Sequence, residues 1–167
     1  MNNDKVYAAS VWHRLLAAGD SDRPANEVRL TLDELKASVA RDLEDLLNTR
    51  VALPPGHLDD YPLCRRSIYN YGLEDFAALC LTSSEDRKLI CTYIEKAIER
   101  FEPRLGDVVA KVATHDGAIN RLDFLISGTL KAHSTSRRVE FNAMLQPSTL
   151  HYSVSLPNQA RPRKAAE

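Results

Sequence analysis

Glu102, which closes an apolar-striped run and is followed by Pro103 and Arg104, is the carboxylate best placed to do chemistry in this chain. A glycosidase needs two carboxylates across the scissile bond, about 5–5.5 Å apart for retention and about 6.5–9.5 Å for inversion. Arg104 favours the ionised form of its neighbour, which opposes a general-acid role for Glu102. The other acidic residues fall mostly on outward helix faces, as Glu44, Asp45, Glu95 and Glu99 do, where solvated charge is the commoner reading. Sequence alone does not exclude a carboxylate pair.

The five histidines, His13, His57, His115, His133 and His151, include no pair at helical four-residue spacing and no combination with nearby cysteines that suggests zinc. They read as dispersed surface or loop residues. Cys64, Cys80 and Cys91 are odd in number and too far apart for a close metal-ligand pair, so reduced thiols packed as small hydrophobes are expected. The chain has no Gly-x-Ser-x-Gly elbow, no phosphate-binding glycine loop and no Gly-x-Gly-x-x-Gly. Nucleophilic and nucleotide chemistry therefore lack support, and no cofactor is expected.

The element that positions Glu102 starts at Thr82-Ser83-Ser84-Glu85, which fits a capping box. Leu89, Ile90, Tyr93, Ile94, Ala97, Ile98 and Phe101 then form one helical stripe, expected to be core. Pro103 has no amide hydrogen and disfavours helical geometry just before it, so the helix should stop at Phe101 or Glu102. Further upstream, Thr31-Leu32-Asp33-Glu34 is a second capping box. Leu32, Leu35, Val39, Leu43 and Leu46 follow at helical steps up to Asn48-Thr49-Arg50, with Lys36, Arg41, Glu44 and Asp45 on the solvated face. Val6 to Ala18 carries Val11, Trp12, Leu15 and Leu16 at the same period and runs into the polar Gly19-Asp20-Ser21-Asp22. So short a helix must dock on the main domain or on another protein.

Residues 51–62 contain Pro54-Pro55-Gly56 and read as a loop, while Gly72, at the end of Ser67 to Leu73, can end a helical turn or allow a left-handed conformation. After Pro103 the period becomes two. Val108, Ala110 and Val112 alternate with polar or outward residues, as do Leu122, Phe124, Ile126 and Leu130 beyond an Asp116-Gly117 turn. Val139, Phe141, Ala143 and Leu145 continue the pattern, followed by Leu150, Tyr152, Val154 and Leu156 across the turn Gln146-Pro147-Ser148-Thr149. Helices followed by consecutive strands predict an α+β fold, with N-terminal helices packed on one face of a largely antiparallel sheet formed by the C-terminal half. The expected organisation is an N-terminal helix and linker at 1–30, one domain at 31–156 and a disordered tail at 157–167, with no internal repeat.

The chain has 167 residues, 44% hydrophobic and 27% charged, with 22 basic against 23 acidic residues, the profile of a soluble globular protein. A net charge of −1 does not call for a nucleic-acid partner. No apolar run is long enough to span a bilayer, and Met1-Asn2-Asn3-Asp4-Lys5 lacks the regions of a signal peptide, which predicts a cytoplasmic protein.

Four segments, in order, resemble one family. They are Val11-Trp12-His13-Arg14-Leu15-Leu16, the helix from Ser38 to Arg50, Ser67 through Tyr71-Gly72-Leu73, and Glu102-Pro103-Arg104-Leu105. Together they are similar to the type VI secretion baseplate wedge subunits of the TssE type, within the lysozyme-like wedge family of contractile phage tails. The resemblance implies a structural, non-catalytic protein despite the enzyme-derived family name. It implies a place in the baseplate docked at the inner membrane, joined to the wedge subunits TssF and TssG. It also implies a sheet from which the contractile sheath of TssB and TssC begins to assemble, through strand addition. Glu102, Pro103 and Arg104 are the partner-binding residues it implies, with Arg104→Ala expected to weaken wedge assembly and leave the fold intact. From the residues alone, an intramolecular ion pair at the helix end is the simpler reading. For strand addition, 138–145 and 150–156 are the candidate edges. A cell-wall glycosidase and a wedge protein of a phage tail or other contractile machine are the alternatives.

Overall fold

The computed structural model describes residues 7–8, 29–54, 56–113, 122–132 and 135–157. The expected N-terminal helix with Trp12, its linker, the Asp116-Gly117 turn and residues 158–167 of the expected tail lie outside the described residues, as do His13, His115 and His133. A two-residue strand β1 (Tyr7–Ala8) pairs antiparallel with β2 (Arg29–Leu30) just ahead of the first helix.

Helix α1 (Leu32–Asn48) begins at the expected capping box. Glu34 donates its amide to Thr31 Oγ1 at 3.2 Å, and Thr31 returns its own amide to Glu34 Oε2 at 2.7 Å. Leu35, Val39, Leu43, Leu46 and Leu47 are buried along its inner face. Helix α2 (Ser84–Phe101) is capped one residue later than expected. Ser83, not Thr82, accepts the Asp86 amide, at 3.3 Å. The reciprocal half of the box is missing because the Asp86 carboxylate takes the Cys80 amide at 2.8 Å, and the Thr82 hydroxyl lies 3.0 Å from Cys80 Sγ. Ile90, Ile94, Ala97 and Ile98 form the buried stripe, whereas Leu89, expected in the core, is 39% exposed. It stands one residue, about 100° of helix rotation, from Ile90 and so leaves the stripe. As predicted, the helix ends at Phe101 and Glu102 has left helical geometry.

Between the helices, Cys64–Arg66 and Ile68–Asn70 each form a single 3-10 turn. Gly72 follows at φ +121°, where a Cβ would stand 2.6 Å from the Thr49 carbonyl oxygen. That bare backbone lets Leu73 donate to Thr49 O at 2.8 Å and lets Val51 donate to Leu73 O at 3.1 Å, tying the loop to the end of α1.

Four strands form an antiparallel meander in the order β3 (Leu105–Ala113), β4 (Leu122–Ala132), β5 (Thr135–Gln146), β6 (His151–Ser155). Alternation places Val108, Ala110, Phe124, Ile126, Leu130, Val139, Phe141, Ala143, Leu145 and Tyr152 on one buried face against the helices, as the α+β reading requires. Asp107 at φ +51° marks an irregularity in β3 between Gly106 and Val109. Of the two candidate edges, β6 is one, but 138–145 is not a simple edge. Residues 142–146 of β5 are covered by β6, whereas 135–141 extend past the last pairing, Asn142 with Ser155. The cysteines also divide, since only Cys91 is buried and Cys64 and Cys80 are exposed.

Candidate functional site

The turn after α2 brings Glu102 and Arg104 together as the intramolecular ion pair that the residues alone suggest. Glu102 is only 4% exposed. Its Oε1 accepts the Arg104 backbone amide at 3.2 Å and Arg104 Nε at 2.6 Å, and its Oε2 accepts Arg104 Nη2. The same Nη2 reaches Asp42 on α1 at 2.5 Å. Pro103 cannot continue the helix and folds the chain so that residues two apart can close this ring. Arg104 thus fastens the start of the sheet to α1, and its backbone carbonyl also accepts the Lys131 amide of β4 at 2.7 Å. Pro103 stays exposed, and the Arg104 guanidinium keeps a buried Nη1 that has no hydrogen-bond partner among the described residues.

Electrostatics at the turn are one-sided. Burial disfavours the Arg104 charge, but its hydrogen bonds and proximity to Glu102, and then to Asp42, outweigh that and hold its pKa above the usual arginine value. Tyr71 packs edge-on against Phe101, with ring centroids 5.2 Å apart, and its phenol is pushed up first by burial and then by Asp45, Asp42 and Glu102. The turn is therefore a fixed cation held among carboxylates.

Helix side chains bond backbone groups on both outer edges of the sheet, on the β6 side from two residues spaced four apart. On the β6 side, Asn48 Oδ1 accepts the Tyr152 amide at 2.8 Å and Asn48 Nδ2 donates to Tyr152 O at 2.9 Å, while Glu44 Oε2 takes the Val154 amide at 2.7 Å. On the β3 side, Glu95 Oε1 accepts the Ala110 amide at 2.8 Å. A helix repeat of i, i+4 nearly matches a strand repeat of i, i+2, so α1 can satisfy successive outward amides of β6. Burial, and then Glu95, push the Cys91 thiol up. Glu44 and Glu95 are thus sheet-edge acceptors and not the solvated charges expected of them. Arg50 adds a third tie, donating to Leu47 O at 2.6 Å and Leu150 O at 2.8 Å with its guanidinium 4.9 Å above the Phe76 ring.

A hollow of about 470 Å³ beside the 51–59 loop is lined by Asp59, Glu74, Asp75, Arg65, Arg100 and Tyr93, among others. Asp42, Glu102 and Arg104 do not line it. Among the described residues, no cluster of three His, Cys, Asp or Glu could hold a metal ion.

Sequence reasoning singled out Glu102, Pro103 and Arg104 as partner-binding residues and did not single out Asp42, Asn48 and Arg50, whose partners lie 62 to 104 residues away. The four-residue spacing of Glu44 with Asn48 was the available signal.

Residues 33–135 match the family model described as baseplate wedge protein gp25. A chain in the solved structure "The baseplate complex from the type VI secretion system" is similar at 18% identity and a TM-score of 0.43, covering 68% of this chain and 96% of that chain. No curated protein matches. The family match runs from α1 through β3 and β4 into β5, more than half of the chain, and on that ground this chain belongs to the baseplate wedge protein gp25 family, whose members are structural components of the baseplate.

Proposed function

We propose that this protein is the wedge subunit of a type VI secretion baseplate, acting on the cytoplasmic face of the inner membrane and without enzymatic activity. Residues 31–156 act as the wedge unit, flanked by 1–30 and 157–167. It joins TssF and TssG through the turn at Glu102, Pro103 and Arg104, and it offers its sheet to the sheath subunits TssB and TssC.

The observation that carries this reading is the uncovered side of β5 at residues 135–141. Strand addition needs unpaired backbone groups in a row, with alternate side chains setting register. Glu95 takes the Ala110 amide of β3, and Asn48 and Glu44 take the Tyr152 and Val154 amides of β6, whereas no described residue pairs with residues 135–141 of β5 on the β6 side. Arg138 and Glu140 alternate there with buried Val139 and Phe141, which gives an added strand both a charge pattern and an apolar register. Deleting the sheath's exchange arm should abolish sheath binding by the purified protein, and undiminished binding excludes strand addition.

For wedge docking, exposed Pro103 and the part of the Arg104 side chain that faces solvent, 26% of it, are the groups a partner can meet. Arg104→Ala, shown by circular dichroism to be folded at 20 °C, should lose affinity for purified TssF–TssG. Unchanged affinity refutes the docking role.

The cell-wall glycosidase reading has one observation in its favour, the carboxylates around the 470 Å³ hollow, and a muramidase assay on purified protein decides it. Type VI flanking genes, as opposed to phage-tail genes, distinguish the secretion machine from other contractile systems.

A further inference from the structure

Four of the most exposed large hydrophobic residues fall in one nine-residue stretch. Tyr61 is 61% exposed, Leu63 86%, Ile68 84% and Tyr69 72%. Apolar groups concentrated in this way on a protein surface mark a place where something else is expected to sit. Ile68 and Tyr69 lie in the second 3-10 turn, Tyr61 and Leu63 just before the first, and neither turn buries any of its own residues.

The stretch is nonetheless well held. Ser67 Oγ donates to Cys64 O at 2.7 Å, Asn70 Nδ2 donates to Arg65 O at 3.0 Å, and backbone bonds close Leu63 to Arg66 and Ser67 to Asn70. Side chains presented outward on such a frame lose little further freedom on binding. Beside them runs a shallow groove lined by Pro62, Arg65, Arg66, Lys96, Glu99 and Arg100. Four cations against one anion is a strong local excess in a chain whose net charge is −1. Arg65 shares its charge with Asp59 at 3.8 Å.

We propose that the 61–69 turns and the adjoining outer face of α2 form a docking surface for an acidic amphipathic segment of another baseplate protein, its apolar side on Leu63 and Ile68 and its carboxylates on Arg66, Lys96 and Arg100. Rim charges of one sign select a partner of the other sign. A second copy of this chain fits poorly, because a two-fold contact would set the basic groove against itself. An anionic lipid surface also fits poorly, because Asp59 and Asp60 stand immediately before Tyr61. This inference rests on the baseplate reading above.

The test uses the full chain and an immobilised complex of the other wedge subunits. Leu63→Asp with Ile68→Asp, and separately Arg66→Glu with Lys96→Glu, are compared with wild type. All these side chains are exposed, so thermal melts should be unchanged. Each pair should weaken binding by at least about tenfold, and added salt should weaken wild type more than the charge-reversed pair. Wild-type affinity in both pairs overturns the proposal, with the wedge reading left standing. Dimerisation by light scattering that Leu63→Asp with Ile68→Asp abolishes, or binding to phosphatidylglycerol vesicles with no loss of wedge affinity, overturns it in favour of those occupants. Failure of wild type to bind the complex removes the wedge reading and this inference with it.

Discussion

Replacing Arg104 with alanine removes a cation from a carboxylate that the fold has taken out of water. Glu102 is 4% exposed and would keep only the Arg104 backbone amide, losing Nε at 2.6 Å and Nη2. Breaking a buried ion pair by removing one partner costs about 3–5 kcal/mol. Water can reach part of this site, since the Arg104 and Asp42 side chains are 26% and 31% exposed, which sets the expectation at the lower end, about 3 kcal/mol. Against a total stability of about 5–15 kcal/mol the variant still folds at 20 °C, with a midpoint lowered by roughly 6–12 °C. Urea unfolding followed by circular dichroism measures the loss. The double variant Glu102→Gln with Arg104→Met leaves no buried charge without its partner, only the part-exposed Asp42, and should recover at least about half of it. It should not recover wedge binding, which separates fastening from docking. A loss below about 0.5 kcal/mol, or a double variant no more stable than Arg104→Ala, refutes the claim that the cation neutralises a buried carboxylate.

Glu44→Ala with Asn48→Ala strips the acceptors from the Tyr152 and Val154 amides and should cost about 2 kcal/mol while raising concentration-dependent aggregation through the bared β6 edge, read by light scattering. Gly72→Ala should cost more than about 2 kcal/mol in urea unfolding, because a Cβ there would collide with the Thr49 carbonyl and the φ of +121° is unfavourable for alanine. Tyr152 is fully buried, its hydroxyl has no partner among the described residues, and burial raises its pKa above the ordinary value of about 10. Its contribution to stability is complete below that ordinary value and is lost as pH rises past it toward the higher folded value. Tyr152→Phe should therefore be at least as stable as wild type at pH 8 and lose less stability between pH 9 and 11, measured by thermal melts across that range.

Local periodicity, caps and breakers determined much of this protein. The three-and-four spacing of α1 and the alternation of the strands from Val108 to Val154 are properties of neighbouring residues, so both the elements and their buried faces were legible. Pro103 ended α2 where its missing amide requires. The cap of α2 was displaced by one residue because Asp86 found Cys80, a competition between short polar side chains that spacing does not rank. What only the tertiary structure decided is where side chains meet across long separations. Arg104 reaches Asp42 across 62 residues and Asn48 reaches Tyr152 across 104, contacts that exist only once α1 lies along the sheet. Pattern alone could not say that Glu44 and Glu95 satisfy strand amides, since a charge on a helix flank looks the same beside water as beside a sheet edge. The free stretch of β5 arises in the same way, from β6 being shorter than the strand it covers.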